Sequence, residues 1–156
     1  MYQKILAPLD GSDFSECSLD HVKAIATGCQ VPEVVLLRVV EPIHSSDVAA
    51  YVEAGIDTTL LMKDVQQSAE TYIARVAESL SKAGLPAKGV VVTGWAADSI
   101  MKYAEENGVD LIIMSTHGRS GISRWVMGSI TDKVVRSSRI PVLSVSPLGC
   151  RTSQQG

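Results

Sequence analysis

Five short runs of largely apolar residues recur along the chain, at positions 4–9, 34–40, 89–93, 110–115 and 141–146. Each has the length of a β-strand, and most are continuously apolar, as in VVLLRVV and LIIM. A strand with one wet face alternates polar and apolar side chains, whereas a parallel strand covered on both faces does not need to. The runs therefore predict parallel strands sandwiched between helices. Between them the apolar spacing changes to the helical period. Leu19, Val22, Ala26 and Cys29 share one helical face, as do Leu61, Val65, Ala69, Tyr72, Val76 and Leu80. Ala97, Ile100 and Ala104 mark a third helix, and Ile130, Val134 and Val135 a fourth that ends before Pro141. Regular alternation of strand and helix predicts an α/β, Rossmann-like fold. Its architecture would be a three-layer open sheet of five parallel strands with helices on both faces, joined by right-handed crossovers.

A chain of 156 residues makes one domain. The polar end, LGCRTSQQG, reads as a disordered tail over residues 148–156, which leaves 1–147 as the folded unit. With 14 Lys plus Arg against 17 Asp plus Glu, the chain lacks the basic field that holds a phosphate backbone, so nucleic acid is not expected as a partner. No apolar run approaches the roughly 18–20 residues needed to insert across a bilayer, and Met1 leads straight into a strand-like run without a signal-peptide core. A cytoplasmic protein is expected. The three cysteines show no pattern with zinc-ligand spacing.

Two connections are longer than such folds usually need. One, from Glu41 to Asp57, admits a lid, a short extra helix or a mobile loop. The other lies within MSTHGRSGISRWVMGSIT, from Met114 to Thr131, where a glycine-bearing loop follows a buried strand and precedes a helix. Such a loop suits phosphate, because free N–H groups at a helix start attract anions, and Gly118 and Gly128 permit positive φ and close approach. Ser129 has two readings. It is an N-cap, with Asp132 completing a capping box, or, together with Thr131, it offers a hydroxyl to an anion. Asp10 likewise is either ordinary Asp-Gly-Ser turn chemistry or a ligand contact. His117 has no nucleophile and orienting acid spaced for catalysis. Arg119 and Arg124 read either as solvated side chains in a polar loop or as phosphate contacts, and Trp95 and Trp125 as packing residues. No lysine follows a glycine, which removes the P-loop, and the first strand leads to Asp10-Gly11-Ser12, not G-x-G-x-x-G. The third strand ends at Thr93-Gly94 where a receiver domain needs a phosphoacceptor acid.

The segment resembles the signature of the universal stress protein family, in its ATP-binding branch. That pattern is G-x-x-G, nine residues, then G-S/T. Here Ser115-Thr116-His117-Gly118 is followed by nine residues and Gly128-Ser129, with Ser115 in place of the first glycine. The similarity extends from KILAPLDGS through VVLLRVVEP to SRIPVLSVS, nearly the whole chain. It implies the strand order 3-2-1-4-5 and a ligand crevice between the first and fourth strands, where such sheets reverse. It also implies ATP as ligand. Pro8, Asp10 and the Val39 backbone would meet the adenosine end, and Met114, Ser115 and Gly118 the middle. Gly128, Ser129, Ile130 and Thr131 would hold the phosphates. The phosphates would carry Mg2+ or Mn2+, since no acidic cluster forms a cage.

The function implied is that of a cytoplasmic stress-response protein, a nucleotide-dependent regulatory or interaction module with a protein partner not identified by sequence. A slow ATPase, a self-phosphorylating enzyme, and a nucleotide-free member acting only through protein interactions are the alternatives. The implied order leaves the last run, Pro141 to Ser146, at a sheet edge without lysine, so a homodimer through that strand is expected.

Overall fold

The computed structural model describes residues 1–117 and 127–147. Its strands are β1 (Lys4–Pro8), β2 (Glu33–Val40), β3 (Ala87–Thr93), β4 (Leu111–Ser115) and β5 (Val142–Val145). They form one parallel sheet in the order β3-β2-β1-β4-β5, as the family resemblance implied. β1 is central, with Ile5 opposite Val34 on one side and Leu111 on the other. The helices are α1 (Asp13–Glu16), α2 (Leu19–Gly28), α3 (Ser45–Glu53), α4 (Thr58–Lys82), α5 (Ala96–Glu106) and α6 (Ser129–Ser137).

The continuous apolar runs are explained by two cores. Ile5, Ala7, Val34 and Leu36 face Leu19, Val22 and Ala26 of α2 and Ile73, Val76, Ala77 and Leu80 of α4. Their sequence neighbours Leu6, Val35 and Leu37 face the opposite layer, Ala97, Ile100 and Ala104 of α5 and Val134 of α6. Full burial of a side chain such as Leu6 or Ile112 stabilises the fold by about 1.5–3 kcal/mol. At the sheet edge β3 packs so closely under α4 that a β-carbon on Gly89 would lie 3.0 Å from both Ile73 Cγ2 and the Ile73 carbonyl oxygen.

Two features depart from the helical periodicity. On α4 the inward stripe begins only at Ala69; Val65 is exposed and Leu61 half-buried. The helix has 25 residues, about 37 Å, whereas β3 beneath it has seven, about 23 Å, so the first turns overhang the sheet. On α6 the core-facing pair is Thr131 and Val134, while Ile130 and Val135 are each 41% exposed. The connection from Glu41 to Asp57 contains the short helix α3, which buries none of its residues. The expected tail, residues 148–156, lies outside the described residues. Among the described residues no helix is long and apolar enough to cross a membrane.

Candidate functional site

β1 leads to α2 on one face and β4 precedes α6 on the other, so the connections diverge from neighbouring strands and leave a crevice at their C-terminal ends. A cleft of about 490 Å3 occupies it. Pro8, Asp10, Val39, Met114, Ser115, Gly128, Ser129, Ile130 and Thr131 all line it. Gly118 lies outside the described residues, as do Arg119, Arg124 and Trp125.

Asp10 closes β1 with a tight turn. Its Oδ1 accepts the Ser12 N–H at 2.9 Å and the Ser12 hydroxyl at 2.6 Å, the local bonding that Asp-Gly-Ser favours. Ser12 in turn caps α1 by accepting the Ser15 N–H. The turn and the cleft contact are therefore compatible: the same aspartate does the first and lines the second.

β2 outruns β1 at the crevice. The Leu9 N–H donates to the Leu37 carbonyl at 2.9 Å, and backbone groups two residues further on point the same way, so the N–H and C=O of Val39 face past the end of β1. The Arg38 guanidinium donates to the Val39 carbonyl at 2.8 Å. Opposite, Glu41 accepts the Ala96 N–H at 2.9 Å and fastens the rim to the start of α5, where the His44 and Trp95 rings stand 4.6 Å apart. Trp95 is 44% exposed, so it packs on that rim and not in either core.

The third wall is built where β4 meets α6. The Thr116 carbonyl accepts the Gly128 N–H at 2.7 Å, and the Thr131 hydroxyl donates to the Ser115 carbonyl at 2.8 Å. Gly128 has φ −56°, so positive φ is not what this position requires. Space is the constraint, because a β-carbon there would lie 2.9 Å from the Thr116 oxygen. Gly128 is also the N-cap, which makes Ser129 the first helical residue, and the cap position itself has no side chain to bond the helix. The capping-box reading of Ser129 fails, since Ser129 is not the N-cap, and Asp132 pairs with Arg136 at 2.8 Å. Gly128 and the first turn of α6 thus line the cleft at the helix terminus that favours anions.

Ser115, standing where the motif has glycine, is 5% exposed, and its hydroxyl oxygen accepts the His117 N–H at 3.4 Å. The extra atoms are folded back onto the chain. His117 Nδ1 lies 2.9 Å from the Thr116 hydroxyl, while Nε2 is buried without a partner among the described residues. Among those residues no group of three or more His, Cys, Asp or Glu side chains is arranged to hold a metal.

Ser15, Arg38, Glu41, Val65 and Ile100 also line the cleft, and the sequence gives none of them a site role. Arg38 carried a signal, as the only charged residue in VVLLRVV. The others reach the cleft only through tertiary packing.

The universal stress protein family model matches residues 1–146. Universal stress protein MJ0577 of Methanocaldococcus jannaschii is 34% identical over 155 residues, spanning 93% of this chain and 95% of that protein. YxiE of Bacillus subtilis, another universal stress protein, is 31% identical over 150 residues, 93% and 99% of the two chains. The solved structure of MJ0577 superimposes with a TM-score of 0.79 over 94% of this chain and 96% of its own. Two structures share the fold at lower identity. One is a universal stress protein in complex with cAMP (24%, TM-score 0.63, 94% of this chain and 98% of that one). The other is an Arabidopsis thaliana family member with AMP bound (14%, TM-score 0.63, 92% and 91%). The match over residues 1–146, together with identity above 30% across whole relatives, makes this chain a member of the universal stress protein family.

Proposed function

We propose that the protein binds ATP in the cleft and acts as a nucleotide-dependent regulatory module. One observation carries this reading: three segments far apart in sequence, ending β1, β2 and β4, converge with the N-terminus of α6 on a single crevice. Its volume is in the range of small-molecule sites. Pro8, Asp10 and the outward-facing Val39 backbone suit the adenosine end. Met114 and Ser115 suit the middle of the nucleotide, with Gly118 beside them in the motif. Gly128, Ser129, Ile130 and the Thr131 backbone, at a helix N-terminus, suit the phosphates. The Thr131 hydroxyl gives its proton to Ser115, so toward an anion it is the N–H that serves. Two proteins of the same fold hold adenine mononucleotides, cAMP and AMP, which supports the ligand class.

Mg2+ or Mn2+ would arrive on the phosphates, and turnover would be slow, for want of a lysine after a glycine and of an evident general base. The protein would act in the cytoplasm as a homodimer joined through β5 and pass nucleotide occupancy to a protein partner. The test is to denature freshly purified protein and identify released ligand by mass, then titrate ATP into nucleotide-free protein. Release of adenine nucleotide and saturable heat are expected. No heat, and no displacement of a fluorescent ATP analogue, would end the proposal.

A further inference from the structure

The Asp10 turn is anchored from outside the cleft. Residues 10–16 form one bonded unit: Asp10 Oδ1 holds Ser12, Ser12 caps Ser15, and the Ser15 oxygen both donates to the Ser12 carbonyl at 2.8 Å and accepts the Asp10 N–H at 3.3 Å. The helix inside it, α1, is four residues long and ends at Glu16. A single turn is unstable in water, so its orientation must come from a tertiary contact. The Tyr72 hydroxyl donates to Glu16 Oε1 at 2.8 Å, across 56 residues of sequence. Tyr72 stands on α4 beside Ile73, whose side chain is 3% exposed, so the anchor is fixed in the core. Arg75 closes the cluster, with its guanidinium 4.0 Å from the same Glu16 oxygen and its charged carbon 5.5 Å above the Tyr72 ring.

We propose that Tyr72 is a positioning residue for the nucleotide site, its hydroxyl holding α1 through Glu16 and thereby fixing how Asp10 faces the cleft. The proposal rests on the reading of Asp10 as an adenosine contact. The Glu16 N–H donates to the Ser12 carbonyl at 3.3 Å, and Ser15, 5% exposed, itself lines the cleft, so hydrogen bonds and backbone together connect α4 to the site. Burial, and then the Glu16 carboxylate, hold the Tyr72 phenol above its ordinary range, with Ser15 and Asp10 close enough to act on it as well. The hydroxyl is therefore a proton donor at any physiological pH.

Tyr72→Phe keeps the ring and removes the bond; Glu16→Gln weakens it from the exposed side and serves if the first variant folds poorly. In nucleotide-free protein, the amides of Asp10, Ser12 and Ser15 should exchange hydrogen about tenfold faster in either variant, with the Leu6 and Ile112 amides unchanged. ATP affinity should fall about tenfold, and should not fall further when the same change is made in Asp10→Ala, because coupled residues are not additive. Equal losses in both backgrounds, or unchanged exchange in the turn, would overturn the proposal. If Asp10→Ala bound ATP as tightly as the natural protein, the adenosine role of Asp10 would fail, and the proposal with it, whereas faster exchange in Tyr72→Phe would still show that the anchor exists.

Discussion

The Gly128 amide donates to the Thr116 carbonyl at 2.7 Å, and a β-carbon on Gly128 would stand 2.9 Å from that same oxygen. Any side chain at 128 must therefore part the β4 end from the α6 terminus. Gly128→Ala is expected to cost about 1–3 kcal/mol, the usual range for overpacking, and to weaken ATP at least tenfold. Thermal denaturation and nucleotide titration of the same sample check both. A variant that kept full stability and affinity would show that the junction has slack.

Thr131 and Ser129 are two residues apart and should behave oppositely. Thr131→Val deletes a buried hydroxyl and strands the Ser115 carbonyl, at about 1–3 kcal/mol. Ser129 is exposed and lies inside the helix, one residue past the N-cap, so Ser129→Ala should change stability by less than about 0.5 kcal/mol while weakening ATP severalfold. Chemical denaturation of the two variants, read beside their ATP affinities, tests the contrast.

These two positions also show how far the sequence could be read. Strand runs such as VVLLRVV and LIIM were legible because burial on both faces leaves no polar alternation to confuse them. The crevice was legible because motif residues mark strand ends. Thr131 was not read as a core residue, because a polar side chain that gives its proton to a carbonyl can fill an inward position, displacing Ile130 and Val135 from the expected face. For Gly128 the sequence allows both positive φ and close approach, and nothing in a sequence separates the two; the structure keeps only the need for space. Helix α3 has no buried residue, so it left no periodic trace. Val65 follows the helical stripe faithfully, yet it lies where α4 has already outrun the sheet.

At the opposite end of the sheet, Glu33 on β2 bonds Lys88 on β3 and lies 2.9 Å from Lys4 on β1. The Lys88 bond, then the Lys4 bond, lower the Glu33 pKa, while Glu33 raises that of Lys88. A depressed carboxylate adds stability that is complete above its unfolded value near 4.5 and is lost as pH falls through the lower folded value. The raised lysine adds stability that is complete below 10.5 and is lost as pH climbs through the higher folded value. All three groups are partly exposed, so Glu33→Gln should cost only about 0.5–1 kcal/mol at neutral pH, less in high salt. Denaturation curves should converge with those of the natural protein once the pH has fallen through the depressed folded value of Glu33. A gap that persisted in acid would point to packing instead of charge.

Asp10 and Glu41 bring two carboxylates to the cleft, against the Arg38 guanidinium among the described residues. A tetra-anionic triphosphate meets repulsion there unless its own charge is reduced, and a divalent cation on the phosphates does that. Chelation with excess EDTA should weaken ATP at least tenfold and AMP much less, in titrations at matched ionic strength. Equal effects on the two nucleotides would remove the cation from the proposed site.

β5 is the edge strand through which two copies are expected to pair, and its register says which residues face outward. Ile112 donates to the Pro141 carbonyl and Thr116 to the Val145 carbonyl, so the backbone groups of residues 141, 143 and 145 point at β4. Those of Val142 and Ser144 point away from the sheet, where a second copy would meet them across a twofold axis. Proline is tolerated on an edge strand when its missing N–H faces outward. Ser144→Pro should therefore yield folded monomers, whereas Leu143→Pro removes a donor aimed at β4 and should damage the fold itself. Light scattering at tens of micromolar is expected to give twice the 16.6 kDa protomer mass for the natural chain and the protomer mass for Ser144→Pro. A natural chain that ran as a monomer, or a Ser144→Pro variant that stayed dimeric with its fold intact, would rule out pairing through β5.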